Sequence, residues 1–333
     1  MEFWSGTGSL AKSRVMPHSL AVEYAELGEQ ASVLEQMGFD AFSASEHHFT
    51  YDGFCPSPLV ALAALAQRTR RIKLVTGALL LPLHDPLRIA ADAATLDRLS
   101  AGRLILGLGM GYRPLEFDGL ASDKRTRGAR LVEMMEVLRN ALSQERFSFH
   151  GKYYRYDNVS VRPRPVQRPH PPLWVCGGTT VSAARRAGRA GLPYWLATST
   201  YEHAEECVGA YREAGQAMGF PPEVLKVAVF KDFCLAATLD EARALRDKLL
   251  RGFYDEHILG FGYLVDENGR HLYNVPRSHP LYQRFVDSIF PGTPERVIGE
   301  IERYERLGVE AMYIATGQRE LFAREVMPAF RRR

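Results

Sequence analysis

Cysteine is scarce in this chain of 333 residues, with four in all. Cys55, Cys176, Cys207 and Cys234 stand far apart and never form a CxxC pair. That excludes a disulfide framework and a zinc ribbon and fits a reducing compartment. Long apolar runs are missing too. The longest, around Ile72–Leu83, is broken by Lys73 and Pro82 and falls short of the ~18 residues a membrane span needs. Charge of one sign is not in excess, since 42 Lys+Arg against 39 Asp+Glu leave +3. So small a surplus argues against a dedicated nucleic-acid binder. The basic patch Lys124-Arg125-Thr126-Arg127-Gly128-Ala129-Arg130 and the tail Arg331–Arg333 have no interleaved stacking aromatics. They read as solvated charge at a helix start and a chain end. Met1 to Ser13 has neither a cationic start nor a long apolar stretch, so the expectation is a cytoplasmic protein without a signal peptide or membrane association. No low-complexity segment and no linker divides the chain, which reads as one domain over 1–333.

What is present is an ordinary globular balance, 46% hydrophobic and 24% charged, enough for a large core. The strongest pattern is a repeated punctuation in which a helical segment ends in Gly and a short apolar run follows. Gln36-Met37-Gly38-Phe39-Asp40 leads into Ala41-Phe42-Ser43, and Ser100-Ala101-Gly102-Arg103 into Leu104-Ile105-Leu106. Gly191 and Gly308 repeat the device before Tyr194-Trp195-Leu196 and Ala311-Met312-Tyr313-Ile314. Gly past a helix supplies the left-handed residue that stops it, and short apolar strands following so closely mark a parallel sheet covered by helices.

The pattern predicts strands over 2–6, 40–45, 72–78, 103–108, 172–176, 192–197, 224–234 and 309–315. The intervening helices are expected at 20–37, 57–69, 86–99, 126–143, 180–190, 201–217, and 239–251 plus 294–307. Eight strands alternating with helices favour a single closed (β/α)8 TIM barrel. Such a barrel needs about 250 residues, so the surplus falls in insertions. One, at about 144–171, reads as a hairpin followed by a proline-rich run. The other, at 252–292, is rich in Gly, Tyr, His and Pro, and its aromatics (Phe253, Tyr254, Phe261, Tyr263, Tyr273, Tyr282) mark a candidate mobile lid.

Barrel chemistry sits at the C-terminal ends of strands. After the second strand comes Ser45-Glu46-His47-His48-Phe49. Two adjacent imidazoles point apart and rarely share a metal, so no metal site is expected. One histidine is then a core group and one exposed, or one is a proton donor or acceptor near neutral pH. After the third strand, Gly77-Ala78 and the apolar run through Leu83 are either a wall for a planar ring or plain core. After the fourth comes Gly107-Leu108-Gly109-Met110-Gly111-Tyr112-Arg113-Pro114-Leu115-Glu116. The spacing departs from a dinucleotide fingerprint, and glycines there let backbone approach a flat ligand. Glu116 either orients a histidine or is a solvated loop acid. After the fifth, Gly177, Gly178, Thr179, Thr180 and Ser182 lead into a helix. That arrangement is an anion site, or simple N-capping.

Glu46-His47-His48-Phe49-Thr50, Leu81-Pro82-Leu83-His84-Asp85-Pro86, Gly102–Gly107, and Gly178-Thr179-Thr180 leading to Gly191-Leu192-Pro193 occur in this order. Together they resemble the bacterial luciferase-like family of flavin-dependent monooxygenases. The resemblance runs from Met1 to about Leu196 and resumes at Pro291–Ile314, and it implies the same barrel. It implies a catalytic His47 supported by Glu116, where luciferase has an aspartate. Gly77-Ala78 would lie under the isoalloxazine ring of FMN. Thr180 and Ser182 would hold its phosphate, and Thr198 would stand where luciferase has a flavin-contacting tryptophan. Gly109 and Met110 replace that protein's reactive cysteine and neighbouring arginine, so the phosphate needs an arginine from elsewhere. The function implied is oxygenation of a small organic substrate by O2 and reduced FMN, through a C4a-peroxyflavin. No nicotinamide fingerprint is present, so a separate NAD(P)H:flavin reductase is the expected partner, and a homodimer the expected assembly. The alternatives are F420-dependent hydride transfer on the same barrel and a non-catalytic flavin-binding protein. The first would need basic residues reaching the long F420 tail.

Overall fold

The computed structural model describes residues 1–7, 20–50, 54–255, 260–266 and 269–331. Eight parallel strands form the barrel: β1 (Glu2–Thr7), β2 (Ala41–Ala44), β3 (Lys73–Leu80), β4 (Leu104–Gly109), β5 (Leu173–Cys176), β6 (Tyr194–Leu196), β7 (Val227–Leu235) and β8 (Ala311–Ala315). Each pairs with the next, β6 pairs with β7, and β8 pairs with β1, so the sheet closes. Helices α1 (Leu20–Met37), α2 (Pro58–Arg68), α3 (Pro86–Leu99), α4 (Arg127–Ser143), α5 (Val181–Arg189), α6 (Tyr201–Ala217), α7 (Leu239–Leu249) and α8 (Pro294–Arg306) surround it. All eight expected strands and the helices between them are present.

The stop signals work as the glycine pattern implies. Gly38, Gly102, Gly191 and Gly308 all have positive φ, the region that disfavours other residues. Starts are equally local: Asp85 accepts from the Arg88 N–H at 2.9 Å with Pro86 at the first turn of α3, and Thr238 with Glu241 forms a reciprocal capping box on α7. Arg103, just before β4, ties its guanidinium to Thr69 Oγ1 and to the carbonyls of Ala66, Ile72 and Ser100. That knits the ends of α2 and α3 to the base of the barrel. Among the described residues, no helix is long and apolar enough to cross a membrane.

Both insertions contain ordered structure. Phe147–His150 and Arg155–Val159 pair antiparallel as the expected hairpin, and the Glu133 carboxylate accepts from the N–H groups of Lys152, Tyr153 and Tyr154 at its turn. Within 252–292, residues 256–259 and 267–268, and the Phe253 side chain, lie outside the described residues. The rest holds a short pair, Leu264–Val265 with His271–Leu272, the helix Pro280–Ser288, and Phe290–Gly292, which adds in parallel to β7. That last strand contains Pro and Gly, which hide it from an apolar-run reading.

Alternation along the strands turns one residue in two into the barrel. The interior is filled by Trp4, Ala41, Val75, Ile105, Trp174, Trp195, Ala228, Ala311 and Tyr313. Trp4 packs edge-on against Trp174 and Trp195, with ring centroids 5.4 and 5.1 Å apart. The next inward step toward the C-terminal face is small: Gly6, Ser43, Gly77 and Gly107. A Cβ on Gly77 would lie 2.6 Å from the Trp195 ring, and one on Gly107 would collide with the Thr76 carbonyl oxygen. Bulk below and glycine above let neighbouring strands and the Trp195 ring approach the backbone closely at this level.

Gly107→Ala should therefore cost about 1–3 kcal/mol through forced backbone displacement. Gly209 is exposed inside α6, with open space where a Cβ would stand, and should tolerate Ala with a gain of about 0.5–1 kcal/mol. Opposite shifts in thermal midpoint for the two variants are the expected outcome; like shifts would contradict this packing.

Candidate active site

The end of β2 carries two buried carboxylate systems side by side. Glu116 lies in the short helix Pro114–Gly119 that follows β4, with no exposed surface. Its Oε1 accepts from His47 Nδ1 at 2.8 Å, from the His48 N–H at 3.0 Å and from Arg113 Nη1 at 3.1 Å. Burial works to raise its pKa, but the His47 hydrogen bond and charge, the His48 amide and Arg113 outweigh that and hold it below the usual carboxylate range. An ionised Glu116 can only accept, so His47 donates through Nδ1–H and keeps Nε2 for exchange with a ligand. Glu116 is thus no solvated loop acid.

Glu46, adjacent to His47, is also buried. Its Oε1 pairs with His48 Nε2 at 2.6 Å and His84 Nε2 at 2.7 Å, and its Oε2 accepts from the Leu80 N–H at 2.6 Å. Its own N–H donates to the Ala78 carbonyl at 3.1 Å. Burial again opposes ionisation, but the two histidines and the Leu80 amide bring the pKa down to about 2. Glu46, His48 and His84 bring three potential metal ligands together, but contacts of 2.6–2.7 Å are hydrogen bonds between the ligand atoms themselves. Neither histidine is a lone core or exposed group. His47 rests on Glu116 and His48 on Glu46. The Glu46 staple escapes sequence reading because a carboxylate beside a histidine in sequence gives no sign of which strand it will reach.

The insertion covers this corner. Phe261 stands edge-on to His47 at 6.0 Å and under the Arg113 guanidinium at 4.2 Å. Tyr112 stacks on His271 at 4.7 Å, and Phe54 closes the other side of His47 at 4.7 Å.

The remaining expected residues divide. Gly77 and Ala78 lie inside the mouth, joined by a cis peptide bond. Of the apolar run beyond them, Leu79 and Leu81 belong to the core between barrel and helices, while Leu80 packs with Leu83 and Phe117, so these leucines are core. Gly109 is crowded by Ala78 and Leu80, which leaves no room for a side chain there. After β5, Gly177 has φ +87° and open space where a Cβ would be. Thr180 caps α5 by accepting from the Ala183 N–H at 3.2 Å. Ser182 Oγ accepts from Arg186, and the carbonyls of Gly178 and Thr179 are taken by Tyr194 and His203. The N–H groups of Gly178 and Thr179 donate to no other described residue. Thr198 is buried and donates to Asp232 Oδ2 at 3.1 Å.

One expectation needs correction. Lys124–Arg130 is not simply solvated. Arg127 is half-buried at the start of α4, its Nε is buried without a partner among the described residues, and Nη1 reaches only the Lys124 carbonyl at 2.8 Å. Burial alone lowers its pKa. The neighbouring Gly128 abuts Met110 Sδ. This half-buried guanidinium has no carboxylate partner among the described residues, and it stands near the methionine that replaces the expected arginine. Its place on the inner face of α4 is invisible in a run of mixed basic residues.

A closed (β/α)8 barrel with a histidine–carboxylate pair at its C-terminal face defines a barrel enzyme. The family model for luciferase-like monooxygenases matches residues 5–311, and the chain belongs to that family. It is similar to an FMNH2-dependent dimethylsulfone monooxygenase of Pseudomonas putida, 26% identical with 90% of this chain and 86% of that protein aligned. It is also similar to an F420-dependent glucose-6-phosphate dehydrogenase of Kineococcus radiotolerans, 36% identical over 58% of this chain and 59% of that protein. Among solved structures, monooxygenase RslO1 from Streptomyces bottropensis superposes with a TM-score of 0.78 at 26% identity, covering 99% and 100% of the two chains. The chain spans about half the length of several curated relatives it matches.

Glu46→Gln leaves one acceptor oxygen for three donors and should cost about 1–3 kcal/mol at neutral pH. A pKa lowered in the folded state gives stability that is present above the ordinary value of 4.5 and is lost as pH falls toward about 2. The difference in unfolding free energy between wild type and Glu46→Gln should therefore shrink across that window. A difference that stays constant would mean the carboxylate is not held by these donors.

Proposed function

We propose that the chain is an FMN-dependent monooxygenase that takes reduced FMN from a separate NAD(P)H:flavin reductase and oxygenates a small organic substrate. The observation that carries this is the His47–Glu116 pair at the rim of a glycine-floored mouth. The residues present fit a flavin. Gly77, Gly107 and Gly109 present bare backbone beside packed neighbours, and Arg127 with the amides of Gly178 and Thr179, which have no partner among the described residues, offers donors for a phosphate beyond adjacent strands β4 and β5. Reduced flavin, when bound, would supply the electrons that activate O2. His47, held through Nδ1, would give or take a proton at Nε2. Phe261, Phe54 and Tyr112 would exclude water from that atom. The insertion 252–292 would act as the lid. The FMNH2-dependent relative supports this reading. The F420-dependent relative supports hydride transfer as a second one, and titrating the protein with FMN and F420 separates them.

His47→Ala should leave the fold and FMN binding intact and reduce product formation by roughly 10²-fold. Normal turnover with unchanged thermal stability would remove His47 from the chemistry.

Arg127→Ala should weaken FMN binding by about 1–3 kcal/mol, the cost of leaving a phosphate short of one charged donor. Riboflavin, which lacks the phosphate, should bind both proteins alike. Equal losses for the two ligands would place the phosphate elsewhere.

A further inference from the structure

Across the mouth from His47 stands a buried acid that the proposed chemistry does not use. Along β7 the inward positions are Ala228, Phe230 and then Asp232, while Val227, Val229, Phe233 and Leu235 face the helices. Asp232 is 1% exposed. Its Oδ2 accepts from Thr198 Oγ1 at 3.1 Å, and its Oδ1 accepts from Tyr254 OH. Thr198 follows β6 and Tyr254 belongs to the insertion, so the carboxylate joins the barrel rim to the cover.

The groups around it are hydroxyls, a thiol and rings. Tyr254 and Tyr263 face it from the insertion, Tyr313 from β8, and Cys234 lies beyond it on its own strand. Lys231 precedes it, but its ammonium is committed to the Ser199 carbonyl at 3.3 Å and Glu300 at 3.8 Å, with the Tyr304 ring beside it. Among the described residues no cationic group forms a contact ion pair with Asp232; the Lys231 charge acts on it only at longer range. A buried carboxylate is costly unless a charge meets it. Glu116 has Arg113, and Glu46 has two histidines. Two hydroxyl donors leave lone pairs of Asp232 unused, beside an aromatic wall of Tyr254, Tyr263 and Phe285.

We propose that Asp232 is a specificity-determining residue that takes the cationic nitrogen of an organic substrate. The inference deepens the reading of the barrel mouth as the active site and rests on it. Tyr254 is the donor that the insertion brings, and the substrate nitrogen takes the place of its hydroxyl at Oδ1. The aromatic rings then pack the apolar body of the substrate and add cation–π attraction. Burial pushes the Asp232 pKa up to about 6 against the two hydroxyl hydrogen bonds and the Lys231 charge, so the carboxylate meets a cation only above that pH.

The test uses the full-length protein and a pair of isosteric probes, N-methylpyridinium and toluene, titrated by intrinsic fluorescence. In Asp232→Asn the Kd for N-methylpyridinium should rise at least tenfold, while that for toluene moves less than twofold. In wild type the Kd for the cation should fall as pH rises through about 6, a trend absent for toluene. The wild-type profile needs no variant, so it stands even if Asp232→Asn folds poorly. A cation that binds both proteins equally, that shows no pH trend, or that fails to bind wild type overturns the proposal. FMN titration of both proteins is a separate readout. Loss of FMN binding by wild type would overturn the flavin reading without changing the probe result, and equal FMN binding by both confirms that Asp232 serves the substrate rather than the cofactor.

Discussion

Buried carboxylates organise the mouth of this barrel. Glu46 and Glu116 are each removed from water, and an ionised acid in that position is stable only if donors converge on it. The donors come from separated stretches of chain. His48 follows β2, the Leu80 amide ends β3, His84 precedes α3, and Arg113 precedes the helix after β4. Two charges therefore fix the relative positions of three strand ends. His47 inherits its orientation from that arrangement, since Glu116 fixes its ring on one side and Phe54 packs on another. The His47 ring is positioned by the cost of leaving a neighbour unsatisfied.

The floor follows from packing. Three tryptophans fill the barrel, and the glycines above them exist because their neighbours already occupy the space a side chain would need. Interiors pack as densely as organic crystals, so close approach of backbone inside a barrel requires the absence of Cβ atoms at several strands. Gly6, Gly77 and Gly107 provide it on β1, β3 and β4. The bare backbone there is a property of the packing and does not depend on a ligand to shape it.

What the sequence made legible is what local physics decides. Gly38, Gly102, Gly191 and Gly308 stop helices by backbone sterics alone, so the alternation of helix and strand, and with it the barrel, was readable. The His47–Glu116 pair was readable because both residues follow strands, where barrel sites lie. The irregular additions were less so. The helix Pro280–Ser288 sits in a stretch with no apolar period, and Phe290–Gly292 pairs with β7 although Pro and Gly are poor strand formers. Arg127 and Asp232 were hidden for another reason. Burial of a charged residue depends on which face of its element turns inward, and a basic run or a Lys-Asp pair looks the same whether it is wet or dry.

Lys231 and Asp232 show how far that ambiguity reaches. They are adjacent in sequence, within the strand expected over 224–234. A strand sends successive side chains to opposite faces, so the lysine enters the layer between barrel and helices and the aspartate enters the mouth. Each is then buried in a different environment. Lys231 meets Glu300 across to α8, which spans strand and helix with a compensated charge. Asp232 meets hydroxyls only. The two charges still feel one another across the strand, but without a contact ion pair. Opposite Asp232, His47 is fixed by a carboxylate already neutralised by Arg113. Two acids of one rim are thus held in different ways, Glu116 by a histidine, an amide and a guanidinium in contact, and Asp232 by hydroxyls in contact with the lysine charge further off.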